Sequence, residues 1–223
     1  MYLSRIRMDI TRNKTMCAIS SPQILHAIIE GCFTQKNRTL WRLDSLHNNL
    51  YLLLVSEIIP DFEKLASQLC LDGECGQTKD YTAFLSSIKN GQKLRFRLRG
   101  NTVYSKSGDG GDLDHHDRSL DVRKANRGKV VPHVSEHHKR MWLVKKAERY
   151  GFFLEDHTFS LIEMGQHRFY KKSASKSLPI QISHATFEGT LTVADANLFK
   201  RALTMGIGKA KAYGCGLMTV MVI

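Results

Sequence analysis

Gly91-Gln92-Lys93-Leu94-Arg95-Phe96-Arg97-Leu98-Arg99 sets Leu94, Phe96 and Leu98 against Arg95, Arg97 and Arg99, a period of two that marks a half-buried β-strand. The residues before it complete a pattern. Residues 2–10 alternate in the same way, with Ile6, Met8 and Ile10 opposite Arg5, Arg7 and Asp9. Ser20-Ser21-Pro22 has the serine cap and first-turn proline of a helix start, and Ile24, Leu25, Ile28, Ile29, Cys32 and Phe33 follow as one apolar stripe at helical spacing. Residues 40–46 and 50–58 read as two strands about the turn residues His47-Asn48-Asn49, and Pro60-Asp61 opens a helix to about Leu69. The order β-α-β-β-α-β is that of a ferredoxin-like domain. In it Ile6, Met8, Leu94, Phe96 and Leu98 are expected to face the helices, leaving Arg5, Arg7, Arg95, Arg97 and Arg99 together on the open face of one sheet.

From residue 101 the pattern lapses. Ser105-Lys106-Ser107-Gly108-Asp109-Gly110-Gly111 is loop-like and residues 118–129 are basic, which predicts a flexible basic linker over 101–130. Ser135 then starts an amphipathic helix to Tyr150, strands follow near 152–157 and 161–164, and a basic loop runs through 167–172. Residues 178–193 alternate, Asp195 caps a helix to Met205, and an apolar run ends the chain. The second half is a weaker copy of the first. The expected division is 1–100, 101–130 and 131–223.

The chain has 223 residues, 42% of them hydrophobic, and a formal net charge of +12. Such an excess in a domain-sized protein points to a polyanion partner, nucleic acid first. No apolar stretch approaches the ~20 residues that span a bilayer, and Arg5, Arg7 and Asp9 interrupt any leader, so a cytoplasmic protein without a membrane partner is expected. Cys17, Cys32, Cys70, Cys75 and Cys215 are odd in number and never spaced Cys-x-x-Cys, indicating neither a disulfide framework nor a zinc site.

Two Gly-x-Gly pairs, Gly206/Gly208 and Gly214/Gly216, bracket Lys209, Lys211 and Tyr213. Glycines that let backbone N–H groups approach a ligand, with two lysines beside them, predict a phosphate contact; the competing reading is a turn before a C-terminal strand. Ala210 excludes a Walker A loop, and a strand that follows the glycines excludes a dinucleotide fingerprint. His115-His116 and His137-His138 lack the spacing that completes a metal set. His26 falls off the apolar stripe of its helix, beside Gln23 and Glu30. A histidine there is either a surface residue or, next to a basic RNA-binding face, a proton carrier for metal-free ribonuclease chemistry.

Met1-Tyr2-Leu3-Ser4-Arg5, Leu25-His26, Leu94 through Arg99, Val131-Pro132, Phe187-Glu188-Gly189-Thr190-Leu191-Thr192 and the double-glycine loop together resemble the CasE family, the CRISPR repeat endoribonucleases of type I-E Cascade complexes. The resemblance implies two tandem ferredoxin-like domains, an α+β fold with RNA in the cleft between them. It implies metal-independent cleavage of the repeat stem-loop at the hairpin base, leaving a 5′-hydroxyl and a 2′,3′-cyclic phosphate, with no cofactor. It also implies retention of the product as a subunit among other Cascade subunits. His26 matches the family's catalytic histidine. Gln23 stands where family members commonly carry a tyrosine, and glutamine cannot exchange protons. That departure keeps a non-catalytic hairpin-binding subunit as the alternative. For RNA binding the candidates are Arg123, Lys124, Arg127 and Lys129, then Arg168, Lys171, Lys172 and Lys176, with Arg168 the nearest match to a family residue, and the glycine loop with its lysines.

Overall fold

The computed structural model describes residues 1–70, 76–106, 129–172 and 177–223. Strand β1 (Tyr2–Met8) leads through helices α1 (Asn13–Ser20) and α2 (Pro22–Gly31) to β2 (Thr39–Leu46) and β3 (Asn49–Ser56). Helix α3 (Phe62–Leu69), β4 (Gln77–Asp80) and α4 (Thr82–Ser87) follow. The first sheet has the order β2-β3-β1-β4, antiparallel throughout, which is the ferredoxin-like arrangement. His47 and Asn48 both take positive φ, as a two-residue hairpin turn requires. Asp61 caps α3 by accepting from the Lys64 N–H. Alternation along β1 buries Ile6 and Met8 against Leu25, Ile29, Leu65 and Leu69 of the helices.

Strand β5 (Lys93–Asn101) does not close this sheet. It pairs with β10 (Ser177–Val193) and β11 (Met218–Val222) in a second sheet, while the short polar β4 occupies the edge beside β1. The second sheet runs β11-β5-β10, with β8 (Phe152–Phe153) and β9 (Phe159–Lys172) both paired to β10. Helices α5 (Glu136–Arg149) and α6 (Ala196–Met205) complete a second ferredoxin-like order, with β5 as its first strand. A division at residue 100 therefore cuts through a strand of the second sheet. Leu94, Phe96 and Leu98 do face helices, but those of the second half: Leu143 and Ala147 of α5, and Phe199, Ala202 and Leu203 of α6. Fully buried Phe152, Phe187 and Phe199 contribute most here, about 1.5–3 kcal/mol each.

Two further expectations change. Residues 167–172 are strand, part of the long β9–β10 hairpin, and not a loop. The ends of the expected linker pair as a two-stranded ribbon, β6 (Val103–Lys106) with β7 (Lys129–Pro132). The rest of that linker, with His115, His116, Arg123, Lys124 and Arg127, lies outside the described residues, as do Cys75 and Lys176. Among the described residues no helix is long and apolar enough to cross a membrane.

A buried guanidinium joins the halves. Arg42 on β2, 1% exposed, donates to the carbonyls of Arg97 and Leu217 and to Thr219 Oγ1, and forks onto the Asp44 carboxylate. Arginine's planar fork suits this set of acceptors, since one charge must satisfy several oxygens taken out of water.

Candidate active site

Helix α2 is fixed by Leu25 and Ile29, both buried against the first sheet. That seating leaves His26 at the rim, its side chain 33% exposed, with Nδ1 4.0 Å from the Glu30 carboxylate. Nδ1 is shielded from solvent and has no hydrogen-bond partner, so the accessible part of the ring lies on the Nε2 side.

What faces α2 comes from the other half of the chain. The 3-10 turn Lys211–Tyr213, inside the double-glycine loop, packs on α2 and β2. Tyr213 meets His26 edge to face, with ring centroids 6.3 Å apart and planes at 70°. Tyr213 also meets Phe169 of β9, with ring centroids 4.9 Å apart. Two residues back on that strand, His167 Nε2 lies 3.3 Å from an Arg99 guanidinium nitrogen and stacks on His184 at 4.9 Å. The contacts thus lead from the histidine of α2 onto β9, the strand whose His167 meets Arg99 of the second sheet.

Trp41 and Leu40 of β2 seat the loop. The Trp41 indole N–H donates to the Ala212 carbonyl. A Cβ at Gly214 would sit 2.7 Å from the Trp41 ring, and one at Gly206 2.7 Å from Leu40; both glycines also have φ of +75°. The glycines therefore serve close approach between the halves. Three of the four glycine N–H groups are engaged: Gly206 N–H to the Ala202 carbonyl, Gly208 N–H to the Tyr150 hydroxyl, and Gly216 N–H to the Arg99 carbonyl. Those three donors are therefore taken up within the fold.

The loop's cations point to anion binding instead. Lys211 is half-buried, and burial together with the Arg38 guanidinium holds its pKa below the usual lysine range. Among the described residues no carboxylate lies within ion-pair distance of Lys211 or Arg38; Arg38 donates to the Met205 carbonyl. Two like charges held together without an acid leave this patch positively charged.

The other predicted residues are dispersed. Arg5 and Arg7 are exposed on the first sheet, Arg5 hydrogen-bonded to Gln77 and lying over the Tyr51 ring. Arg95, Arg97 and Arg99 belong to the second sheet, so the five arginines do not share one face of one sheet. Arg97 is held by Asp44 and Glu188, whereas Arg95 is exposed. Arg168 is exposed on β9, and Lys171 and Lys172 end that strand. Lys209 is exposed beside Asn101, and Lys129 begins β7. Gln23 is half-buried one turn before His26. His138 has a local task, its ring nitrogen 2.7 Å from the Ser135 hydroxyl that caps α5. Sequence reasoning gave no role to Arg38, Phe169, His167 or Tyr213; an aromatic residue between the glycine pairs was the one available signal.

The family model described as CRISPR associated protein matches residues 1–221. A curated relative, CRISPR-associated endoribonuclease Cse3 of Thermus thermophilus, is 28% identical over 222 residues, covering 96% of this chain and 92% of the relative. The CRISPR system Cascade subunit CasE of Escherichia coli is 32% identical over 133 residues, 60% of each protein. Among solved structures, CRISPR endoribonuclease Cse3 bound to a 19-nucleotide RNA superposes with a TM-score of 0.72 at 23% identity, covering 99% of this chain and 100% of that one. Cas6e from Escherichia coli gives 0.58 at 22% identity, covering 100% of both. The superpositions carry the tandem ferredoxin-like fold, and the sequence matches carry kinship. The chain belongs to the CRISPR-associated protein family, in its type I-E CasE (Cse3) group.

Proposed function

We propose that this protein is the endoribonuclease of a type I-E CRISPR system, binding the repeat stem-loop of the precursor transcript and cutting it at the hairpin base. The observation that carries this reading is His26 of the first half set against the Lys211–Tyr213 turn of the second, beside Phe169 of the β9–β10 hairpin. The curated relative is named an endoribonuclease, and its structural counterpart was solved on RNA.

The chemistry is phosphoryl transfer within the RNA. The 2′-oxygen before the cut attacks phosphorus, a P–O2′ bond forms and the P–O5′ bond breaks, leaving a 2′,3′-cyclic phosphate and a 5′-hydroxyl. His26, through Nε2, accepts the 2′-hydroxyl proton; an imidazole is suited to this near neutral pH. Lys211 and Arg38 offset the charge that builds on the phosphorane oxygens. The step needs proton transfer alone, so no cofactor or metal is assigned to it. Phosphate-tracking side chains of the β9–β10 hairpin, Arg168 first, hold the stem, because a deep and narrow RNA major groove admits little else. Contacts to the stem survive the cut. The product therefore stays bound, and the protein acts once before serving as a Cascade subunit.

His26→Ala is expected to abolish cutting of a synthetic repeat hairpin while its affinity changes less than about threefold. A deoxyribose at the scissile nucleotide is expected to block cutting without blocking binding, and chelator is expected to have no effect. Cleavage by the His26 variant at the wild-type rate would remove the mechanism. Gln23 favours the second reading, a hairpin-binding subunit without activity; under it the wild-type protein binds the hairpin and yields no cyclic phosphate.

A further inference from the structure

Cutting by this route moves two protons, one off the 2′-hydroxyl and one onto the departing 5′-oxygen. An imidazole that has just accepted the first is badly placed to deliver the second to the opposite side of the phosphorus. Gln23, half-buried one turn before His26, carries no exchangeable acid. Resting on the activity proposed above, we infer that Tyr213 is a second catalytic residue and that its phenolic O–H supplies the proton to the leaving 5′-oxygen.

Tyr213 is the aromatic residue that meets His26, and it arrives from the other half of the chain. Its placement is over-determined. The ring is held between the imidazole and Phe169, whose centroid lies 4.9 Å away at 71°. Its backbone N–H bonds to Ala210, which takes the left-handed conformation at φ 65°, and the residue before it is pinned through its carbonyl by Trp41. A non-glycine residue in that conformation costs about 1–2 kcal/mol, which the surrounding contacts sustain. The loop thus holds Tyr213 in one orientation against α2, as a proton donor requires. Burial raises the phenol's pKa, so the group stays protonated across the working range. Its ring touches both His26 and Phe169 of the β9–β10 hairpin, the element proposed above to hold the RNA stem.

The protons balance over one turnover. His26 gains the proton of the 2′-hydroxyl, Tyr213 loses its own to O5′ as the P–O5′ bond breaks, and the imidazolium returns a proton to the phenolate. The cut RNA carries a cyclic phosphate and a 5′-hydroxyl, and both side chains recover their starting forms. Lys211 is the rival donor, being a half-buried ammonium two residues away.

The test uses Tyr213→Phe, which keeps the ring and its packing, with thermal melting and hairpin affinity as controls for folding and binding. Single-turnover cleavage of a synthetic repeat hairpin is expected to slow about 10²-fold. A hairpin whose scissile 5′-oxygen is replaced by sulfur, a leaving group that needs no proton, is expected to be cut by Tyr213→Phe at close to the wild-type rate. His26→Ala is expected to remain slow on both substrates. Wild-type speed of Tyr213→Phe on the oxygen substrate overturns the inference, and so does a slow variant that sulfur fails to rescue. Sulfur rescue of Lys211→Met instead of Tyr213→Phe assigns the donation to the ammonium and overturns it equally. Failure of the wild-type protein to cut either hairpin is a separate result, which removes the activity on which the inference rests.

Discussion

Arg42 donates to the carbonyl of Leu217 across 2.9 Å, and in doing so ties the edge strand of the first sheet to the start of the last strand of the second. The same guanidinium bonds Arg97, Thr219 and Asp44. The junction between the halves is therefore organised by a buried charge whose partners come from both. His26 and Tyr213 meet because this junction holds α2 and the glycine loop in one register.

Arg42→Ala is expected to cost about 3–5 kcal/mol, since it strands the Asp44 carboxylate and two carbonyls away from water. Arg42→Lys keeps the charge but loses the planar fork, and is expected to recover less than half of that loss. Urea denaturation midpoints measure both. A loss under about 1 kcal/mol in Arg42→Ala would show that the junction is held by something else.

Gly214 and Gly91 form a matched pair. Their φ values are +75° and +76°, but an added Cβ at Gly214 meets the Trp41 ring at 2.7 Å, whereas at Gly91 it meets nothing within 4 Å. Gly91→Ala is expected to cost the backbone penalty alone, about 1–2 kcal/mol. Gly214→Ala adds overpacking against an indole fixed by its bond to Ala212, about 1–3 kcal/mol more. In a chain of this size the difference corresponds to roughly 2–12 °C in Tm. Equal melting temperatures for the two variants would contradict the packing role given to the loop glycines.

The contrast between these two glycines shows what the sequence could and could not disclose. Periodicity is local, so it marked β1, α2, the β2–β3 hairpin and the strand of alternating arginines. Caps are local too, and Asp61, Ser135 and Asp195 each begin a helix where expected. Pairing is not local. The alternation in Lys93–Asn101 makes it a half-buried strand but carries no mark of its partner, and the true fourth strand, Gln77–Asp80, is short, polar and without period. Helix α1 lacks a side-chain cap, so residues 13–20 carry no local start signal. At the site, position on the helical wheel brought out His26, because leaving the apolar stripe is a local property. Tyr213 and Arg38 become neighbours of that site only when two halves some 170 residues apart close on each other.

Glu163 sets a pH signature on the second sheet. Its carboxylate pairs with His184 and Thr186 near Arg99, and these partners, His184 first, hold its pKa down at about 2 against an ordinary 4.5. A carboxyl lowered in the folded state stabilises it above the ordinary pKa, and that contribution is lost as pH falls from about 4.5 to about 2. With the side chain 52% exposed, water screens the pairing, and about 1 kcal/mol is expected after that discount. Glu163→Gln should melt below wild type at pH 6 and converge with it near pH 2. A gap that persists unchanged at the acid end would show that packing, not charge, is the cause.

Lys211 and Arg38 give the RNA-binding proposal an ionic-strength test. If each neutralises one phosphate, Lys211→Ala and Arg38→Ala should each reduce the slope of log affinity against log salt by about 0.7–0.9, and the double variant by about twice that. His26→Ala, which removes the proton carrier and no phosphate contact, should leave the slope unchanged. The lysine also predicts an alkaline limb. Because burial and Arg38 lower its pKa, its charge disappears at a pH below that of an ordinary lysine, and hairpin affinity should begin to fall there. Arg38→Ala removes the repulsion and should move that limb upward. Hairpin affinity measured across salt and pH decides the matter: slopes equal to wild type in both single variants would mean that the RNA passes this pair of cations by.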